Sequence, residues 1–233
     1  MSRRTLNVKD FLPRLSDFMD LLTYSQREQL ERAATVRTIR KNELLYSAGD
    51  PPTKLYCLLS GKMKVCKDGV GGRTQIVRVI RPVEYFGFRP AFAGQDYVSY
   101  AIAFENSVVA CFPMNEVTEI VKMNPSLAWF FIERLATDLG RADERTINLT
   151  QKHIRGRLAE SLLVLKDRYG LEEDGFTLSI YLGREDLANL SNMTTSNAIR
   201  TLSAFASEKL VAVDGRKIKL LDEAKLEKIS RLG

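Results

Sequence analysis

The sequence predicts an α+β protein, in which a β-rich N-terminal part precedes a long helix and a mainly helical C-terminal part. Three observations support this prediction. All seven prolines lie at or before position 125. Glycines crowd the same region and separate short β-branched and aromatic runs, a pattern typical of many short strands. After Pro125, apolar residues recur at spacings of three and four, which is the period of a helix.

The β-rich part covers residues 34–123 and predicts a roll or sandwich of short strands. Asp68-Gly69 and the following Gly71-Gly72 favour a hairpin between two strands, because glycine adopts positive φ without steric cost. We assign residues 1–123 to an N-terminal domain of initial helices and a β-roll. Its clearest strand patterns are Lys54–Leu59, Lys62–Lys67, Arg73–Ile80, Tyr97–Phe104 and Val108–Phe112.

A long helix is predicted over residues 124–151, with one narrow apolar stripe. Such a stripe needs a partner, and the simplest is the same helix of a second copy in a two-fold dimer. The periodicity equally allows the stripe to pack on the chain's own roll. We interpret the aromatic run 129–131 as core or dimer packing. The stripe consists of Ile132, Leu135, Leu139, Ala142, Thr146 and Leu149.

Residues 152–233 form the predicted C-terminal domain. A helix begins near Arg155 and ends at Gly170, a residue typical of helix ends. An acidic turn, a short strand over Phe176–Tyr181 and two helices follow. The pattern then predicts a hairpin around Asp214-Gly215 and a last helix over 223–231, capped by Asp222.

The two predicted helices between Arg184 and Glu208 form a candidate helix-turn-helix. Ala188 is small enough to let the helices cross closely, Asn192 tolerates the left-handed turn, and Thr194 is a plausible N-cap. The second helix then exposes a polar face that fits the major groove. An ordinary pair of antiparallel helices remains an alternative. The predicted base contacts are Thr195, Ser196, Asn197 and Arg200.

A basic hairpin after these helices favours DNA binding over the plain helix pair. Arginine and lysine on such a wing would contact phosphates beside the groove. The predicted phosphate contacts are Arg184, Thr194, Arg216 and Lys217.

Composition excludes several classes of protein. The formal net charge of +6 permits nucleic acid binding without demanding it. No apolar run is long enough to span a membrane, and the basic start Met1–Thr5 leads into no apolar segment of a secretory signal. The scattered Cys57, Cys66 and Cys111 suit a reducing cytoplasm and read as small buried hydrophobes, with a redox role as the lesser alternative. With one histidine and no nucleophile, phosphate-loop or metal motif, we expect no enzyme, catalytic residue, metal or cofactor.

From about residue 15 onward, the chain resembles the Crp/Fnr family of bacterial transcription regulators. The resemblance rests on the motifs Lys41–Leu45, Ala48–Asp50, Leu55–Lys62, Tyr85–Gly87 and Gly156–Ala159, together with the helix-turn-helix. It implies a roll like a cyclic nucleotide-binding domain, a dimerising central helix and a C-terminal winged helix. It also implies a homodimer that binds promoter DNA, with RNA polymerase as a further partner.

The predicted effector pocket departs from the nucleotide-binding members of that family. They hold the cyclic phosphate with a Gly-Glu pair and an Arg-Ser/Thr pair eleven residues after the glycine. Here Phe88 follows Gly87, and Val98-Ser99 stand where the second pair would lie. A buried phosphate without a guanidinium is costly, although Arg89 offers an alternative partner. Ala142 and Asp143 also stand where the family often places hydroxyls against the purine. These departures together predict an unknown effector other than cyclic AMP, or none.

Two functions from different classes remain. The first is a sequence-specific, homodimeric transcription regulator. Its recognition helix carries Thr195-Ser196 in place of the family's usual Arg-Glu pair, so Arg200 and Asn197 are expected to dominate base reading. The second is a small-molecule binding module whose C-terminal domain docks a protein partner. This alternative is supported by the small net charge of residues 151–233, which contain 14 Lys and Arg against 12 Asp and Glu.

Overall fold

The computed structural model describes residues 8–233, so the Met1–Thr5 pattern lies outside the described residues. The chain divides into two compact units. The first comprises the chain up to Lys67 together with Arg78–Gly140, and the second comprises Asp68–Val77 and Arg141–Gly233. No helix in the described part of the chain is long and apolar enough to cross a membrane.

In the part of the chain that the structure describes, eight strands build the N-terminal roll and form two four-stranded sheets. The strands are β1 (Thr35–Ile39), β2 (Leu44–Tyr46), β3 (Lys54–Ser60), β4 (Met63–Asp68), β5 (Thr74–Ile80), β6 (Glu84–Phe86), β7 (Tyr100–Ala103) and β8 (Ser107–Pro113). The strand orders are β1-β8-β3-β6 and β2-β7-β4-β5, and β3 pairs antiparallel with both β6 and β8. Each of the five expected strand patterns overlaps a strand, whereas β1, β2 and β6 were not predicted.

The predicted glycine turn between β4 and β5 is confirmed. A short 3₁₀ segment, Val70–Gly72, joins the two strands. Gly71 and Gly72 have φ of 75° and 72°, the left-handed region that glycine adopts most readily.

Short helices precede and follow the strands of the roll. A 3₁₀ segment over Val8–Leu15 leads into α1 (Ser16–Met19) and α2 (Tyr24–Ala33), and α3 (Arg89–Phe92) and α4 (Met114–Met123) follow. Phe18 and Phe130 lie in one buried cluster with side chains of α4. A second buried cluster fills the interior of the roll and includes Tyr46, Tyr56 and Tyr97.

The helical elements follow the predicted order. The long helix α5 covers Pro125–Gln151, and α6 (Ile154–Tyr169) ends at Gly170, whose φ is 75°. Then come α7 (Arg184–Leu190), α8 (Thr195–Ser207), the hairpin of β9 (Val211–Asp214) and β10 (Lys217–Leu220), and α9 (Glu223–Leu232). The side chain of Asp222 accepts from the backbone N–H of Lys225, which confirms the predicted cap.

The predicted strand over Phe176–Tyr181 is wrong. This segment makes only isolated bridges, which pair Leu178 with Leu171 and Thr177 with Lys219. Asp174 explains the irregular path, because its carboxylate accepts from the backbone N–H groups of Phe176 and Thr177 and from the Thr177 hydroxyl. Local side-chain bonds of this kind compete with a strand ladder.

Candidate functional site

The helix-turn-helix is built as its sequence indicates. Ala188 of α7 is buried, and Asn192 takes the left-handed conformation at the turn with φ of 49°. Thr194 caps α8, since its hydroxyl accepts from the backbone N–H of Asn197 at 3.2 Å. The second helix of the motif therefore begins at a defined residue, with its first turn open to solvent.

One face of α8 is buried and the opposite face is polar. Ala198, Thr201, Leu202 and Phe205 pack inward. Thr195, Ser196 and Arg200 are exposed, while Asn197 is half-buried. Arg200 Nη2 donates to Asn197 Oδ1 at 2.7 Å, so two of the predicted base-reading side chains are already positioned against one another. The sequence reasoning missed one exposed apolar residue on this helix, Ile199.

The β9–β10 hairpin is the predicted wing. Arg216 and Lys217 are exposed at its tip, and Lys217 Nζ lies 5.3 Å from the centre of the Tyr181 ring. Arg184, at the start of α7, donates to the Gly215 carbonyl oxygen at 2.8 Å. The turn of the wing is therefore hydrogen-bonded to the first helix of the helix-turn-helix. This bond brings Arg184 close to Arg216 and Lys217, which are three of the four predicted phosphate contacts.

Arg145 on α5 is a second residue that the sequence did not single out. Its guanidinium donates to the carbonyl oxygens of Val77 at 2.8 Å and Leu190 at 3.4 Å, and also to that of Ile76. Leu190 ends α7, so Arg145 satisfies one of the carbonyls that a helix end leaves unpaired. Burial lowers the pKa of Arg145 despite the nearby Glu160 carboxylate.

Aromatic rings pack against the backbone of Gly87 inside the roll. Gly87 has φ of 85°, and a Cβ there would lie 2.6 Å from the Tyr56 ring. The Tyr97 hydroxyl donates to the Gly87 carbonyl oxygen at 2.9 Å. Tyr97 also stacks on Tyr46 with 3.9 Å between ring centres. Tyr56 and Tyr97 therefore lie against Gly87, and Tyr46 packs on the far side of Tyr97.

The other predicted effector residues lie in more than one environment. Phe88 is buried in the neighbouring cluster, where it packs against Phe92 and Phe131. Val98 is 47% exposed, Arg89 is exposed and Ser99 is half-buried. Ser99 and Arg89 lie close enough to the Tyr46 side chain to affect its pKa, whereas Phe88 belongs to the neighbouring cluster.

An arginine of the roll is held by two carboxylates. Arg78 on β5 donates to Glu84 at 2.6 Å and to Asp138 of α5 at 2.8 Å. Because both bonds neutralise the guanidinium, this arginine already has the anionic partners that a bound phosphate would otherwise supply.

The cysteines are all free and buried, as predicted for small hydrophobes. Burial raises the pKa of the Cys57 and Cys111 thiols, which suppresses the reactive thiolate. Within residues 8–233, no group of three or more His, Cys, Asp or Glu side chains is arranged to hold a metal ion.

The tyrosine cluster predicts instability at alkaline pH. Burial raises the pKa of Tyr56 to about 12 and also raises that of Tyr46 and Tyr97. A tyrosine whose pKa is higher in the folded state than in the unfolded state, where it is about 10, contributes its full stabilisation below pH 10. That contribution is lost as the pH rises through the folded-state pKa. Tyr56→Phe should therefore flatten the fall in unfolding free energy between pH 10 and 12, measured by urea titration. An unchanged slope would contradict this assignment.

The apolar stripe of α5 is only partly covered. Leu135 packs against the N-terminal core and Leu149 is half-buried. Ile132 is 51% and Leu139 64% exposed, and Ala142 and Thr146 are also exposed. The stripe therefore does not pack wholly on the chain's own roll. Phe130 and Phe131 belong to the core, whereas Trp129 is 60% exposed.

Comparisons with known proteins match both parts of the chain. A cyclic nucleotide-binding domain matches residues 36–124, and a Crp-like helix-turn-helix domain matches residues 156–229. The global nitrogen regulator of Nostoc sp. is 25% identical over 186 residues, covering 78% of this chain and 83% of its own. The CRP-like cAMP-activated global transcriptional regulator of Mycobacterium tuberculosis is 22% identical over 192 residues, covering 82% and 86%.

A solved structure supports the fold. The putative Crp/Fnr-family regulator from Eubacterium rectale superposes with a TM-score of 0.79 at 18% identity, covering 94% of this chain and 99% of its own. The two domain matches together span most of the chain, and the two relatives named above are transcription regulators. The chain belongs to the Crp/Fnr family of transcription regulators.

Proposed function

We propose that the protein binds promoter DNA sequence-specifically as a two-fold homodimer, with α8 of each copy in the major groove. The observation that carries this proposal is the capped, exposed N-terminal face of α8, with Arg200 positioned by Asn197. Arg200 bonds a guanine edge, while Thr195, Ser196 and Asn197 contact neighbouring bases. Arg184, Thr194, Arg216 and Lys217 contact phosphates. Such a regulator works in the bacterial cytoplasm together with RNA polymerase.

The exposed stripe of α5 supports the dimer. Two leucine- and isoleucine-bearing helices that pair along Ile132 and Leu139 would bury side chains that the single chain leaves more than half exposed. A two-fold axis along α5 would also duplicate α8, so that two recognition helices meet half-sites about 34 Å apart on the same side of a duplex.

Replacing Arg200 tests whether its guanidinium contacts a base. We expect Arg200→Ala to weaken binding to the preferred site by about 1–3 kcal/mol and to relax specificity at one base pair of each half-site, because a bidentate contact is lost. The preferred site comes from genome-wide footprinting with the purified protein, and affinities follow from fluorescence titration. An unchanged affinity and base preference would remove Arg200 from the site.

Lys217→Ala provides the complementary test at the wing. A phosphate contact carries no sequence information, so the variant should bind all duplexes more weakly and lower the salt slope by about one. Titrations over a range of salt concentrations measure that slope. Loss of preference for one base at an unchanged slope would contradict the phosphate assignment.

We propose that the roll takes an effector other than cyclic AMP, or none. The Tyr46–Tyr97 stack beside Gly87 and the Arg78–Glu84 pair support this. The two relatives are named for nitrogen regulation and for activation by cAMP, so their names do not decide the effector. Cyclic AMP at millimolar concentration should leave the melting temperature unchanged, because only a ligand that binds the folded state raises it. A clear rise would overturn the assignment.

The alternative is a module whose C-terminal domain docks a protein. The near-neutral charge of residues 151–233 favours it. Retention on heparin and bulk DNA at low salt distinguishes the regulator from the protein-docking module. Only a DNA-binding protein is expected to be retained at low salt and released as the salt concentration rises.

A further inference from the structure

One apolar side chain interrupts the polar face of α8. Ile199 is 45% exposed, while Ala198 and Leu202, its neighbours toward the core, are buried. With 3.6 residues per turn, Ile199 lies one turn from Ser196 and one turn from Ser203, both of which are exposed. It is therefore on the same face as Arg200, in the middle of the surface that we place in the major groove.

The core of the helical domain does not account for Ile199. The inward face of α8 is supplied by Ala198, Thr201, Leu202 and Phe205. A branched apolar side chain among hydroxyls and an arginine leaves its surface in water when the protein is free. Covering that surface on binding would release a hydrophobic free energy that a polar residue there could not provide.

We propose that Ile199 is a specificity-determining residue that contacts the C5-methyl group of a thymine. This inference rests on the proposed function. The standard base pairs present hydrogen-bonding groups in the major groove, and thymine adds the methyl group as its apolar feature there. A branched alkyl side chain fits that methyl and leaves the donors and acceptors of other bases unsatisfied, so it discriminates by both attraction and desolvation.

A contact by Ile199 would also add sequence selectivity that the neighbouring hydroxyl residues do not supply. Thr195 and Ser196 carry hydroxyls, which bond several bases and discriminate poorly. Ile199 would therefore supply a second selective contact besides Arg200, at a different base pair of the half-site.

The test removes one methyl group at a time. A preferred duplex is first enriched from random sequence with the full-length protein. Each thymine is then replaced singly by deoxyuridine, which lacks only the methyl group, and Kd is measured by fluorescence anisotropy. Wild-type protein should lose about fourfold in affinity at one thymine of each half-site, as the burial of a methyl-sized group implies. Ile199→Ala should bind the thymine and deoxyuridine duplexes equally at that position.

Two variants serve as controls. Val164→Ala removes an exposed apolar side chain of α6 in the same domain and should keep the full thymine preference. Arg200→Ala should weaken binding yet leave the thymine-to-deoxyuridine ratio unchanged. If no thymine methyl in the enriched site affected the affinity, or if Ile199→Ala kept the preference for thymine over deoxyuridine, the role of Ile199 would be excluded and the proposed function would stand. Failure to enrich any sequence would overturn the proposed function as well.

Discussion

Leu139→Glu is expected to convert the proposed dimer into a monomer and to weaken binding to a two-fold DNA site by about 10²–10⁴-fold. The side chain is 64% exposed in the single chain, so the glutamate costs the monomer little. In the dimer it would face its own copy, and two carboxylates would lie in an apolar seam. In a dimer, binding of one subunit to its half-site raises the effective concentration of the other subunit at the second half-site. A monomer lacks this advantage, so its affinity for the full site is lower.

Sedimentation velocity and DNA titration measure the two parts of this prediction separately. Tyr24→Glu is the matched control, since it places the same charge at an apolar position that is 84% exposed on α2, outside the stripe. The control should remain dimeric and bind the full site as the wild type does. A Leu139→Glu protein that stays dimeric and binds the full site normally would show that α5 is not the dimer contact.

Elements that depend on local signals were predicted well. Residues 124–151 were assigned to the long helix, and α5 covers Pro125–Gln151. The turn at Asn192 and the caps at Thr194 and Asp222 were also placed correctly, because each depends on side-chain chemistry within three or four residues. The wing followed from Asp214-Gly215, whose glycine has φ of 55°.

Features that depend on distant parts of the chain were missed. Strands β1, β2 and β6 have between three and five residues each, too few for alternation to stand out. Arg145 lies in a helix rich in charged residues and looks like a solvated side chain, yet it donates to carbonyls 45 and 69 residues away. The stack of Tyr46 on Tyr97 joins residues about 50 positions apart in the sequence, so no local pattern reveals it.

Gly61, in the turn between β3 and β4, is a position where local conformation and distant packing combine. Its φ is 86°, and an added Cβ would lie 2.6 Å from the Asn106 carbonyl oxygen and 2.7 Å from Ser107 Cα. The Cβ would also meet the Ser107 hydroxyl, but the other two atoms belong to the backbone, so rotation of the Ser107 side chain alone would not make room. Gly49 has nearly the same φ, 87°, but its Cβ would meet no atom within 4 Å.

The pair Gly61→Ala and Gly49→Ala therefore separates steric clash from backbone strain. Both variants carry the cost of positive φ, about 1–2 kcal/mol, and Gly61→Ala adds about 1–3 kcal/mol for the collision with the β7–β8 turn. We expect the free energy of unfolding to fall by about 2–5 kcal/mol in Gly61→Ala and by about 1–2 kcal/mol in Gly49→Ala, measured by urea titration followed by circular dichroism. Equal losses in the two variants would mean that positive φ alone fixes glycine at position 61, and that the close approach of residues 106–107 contributes nothing.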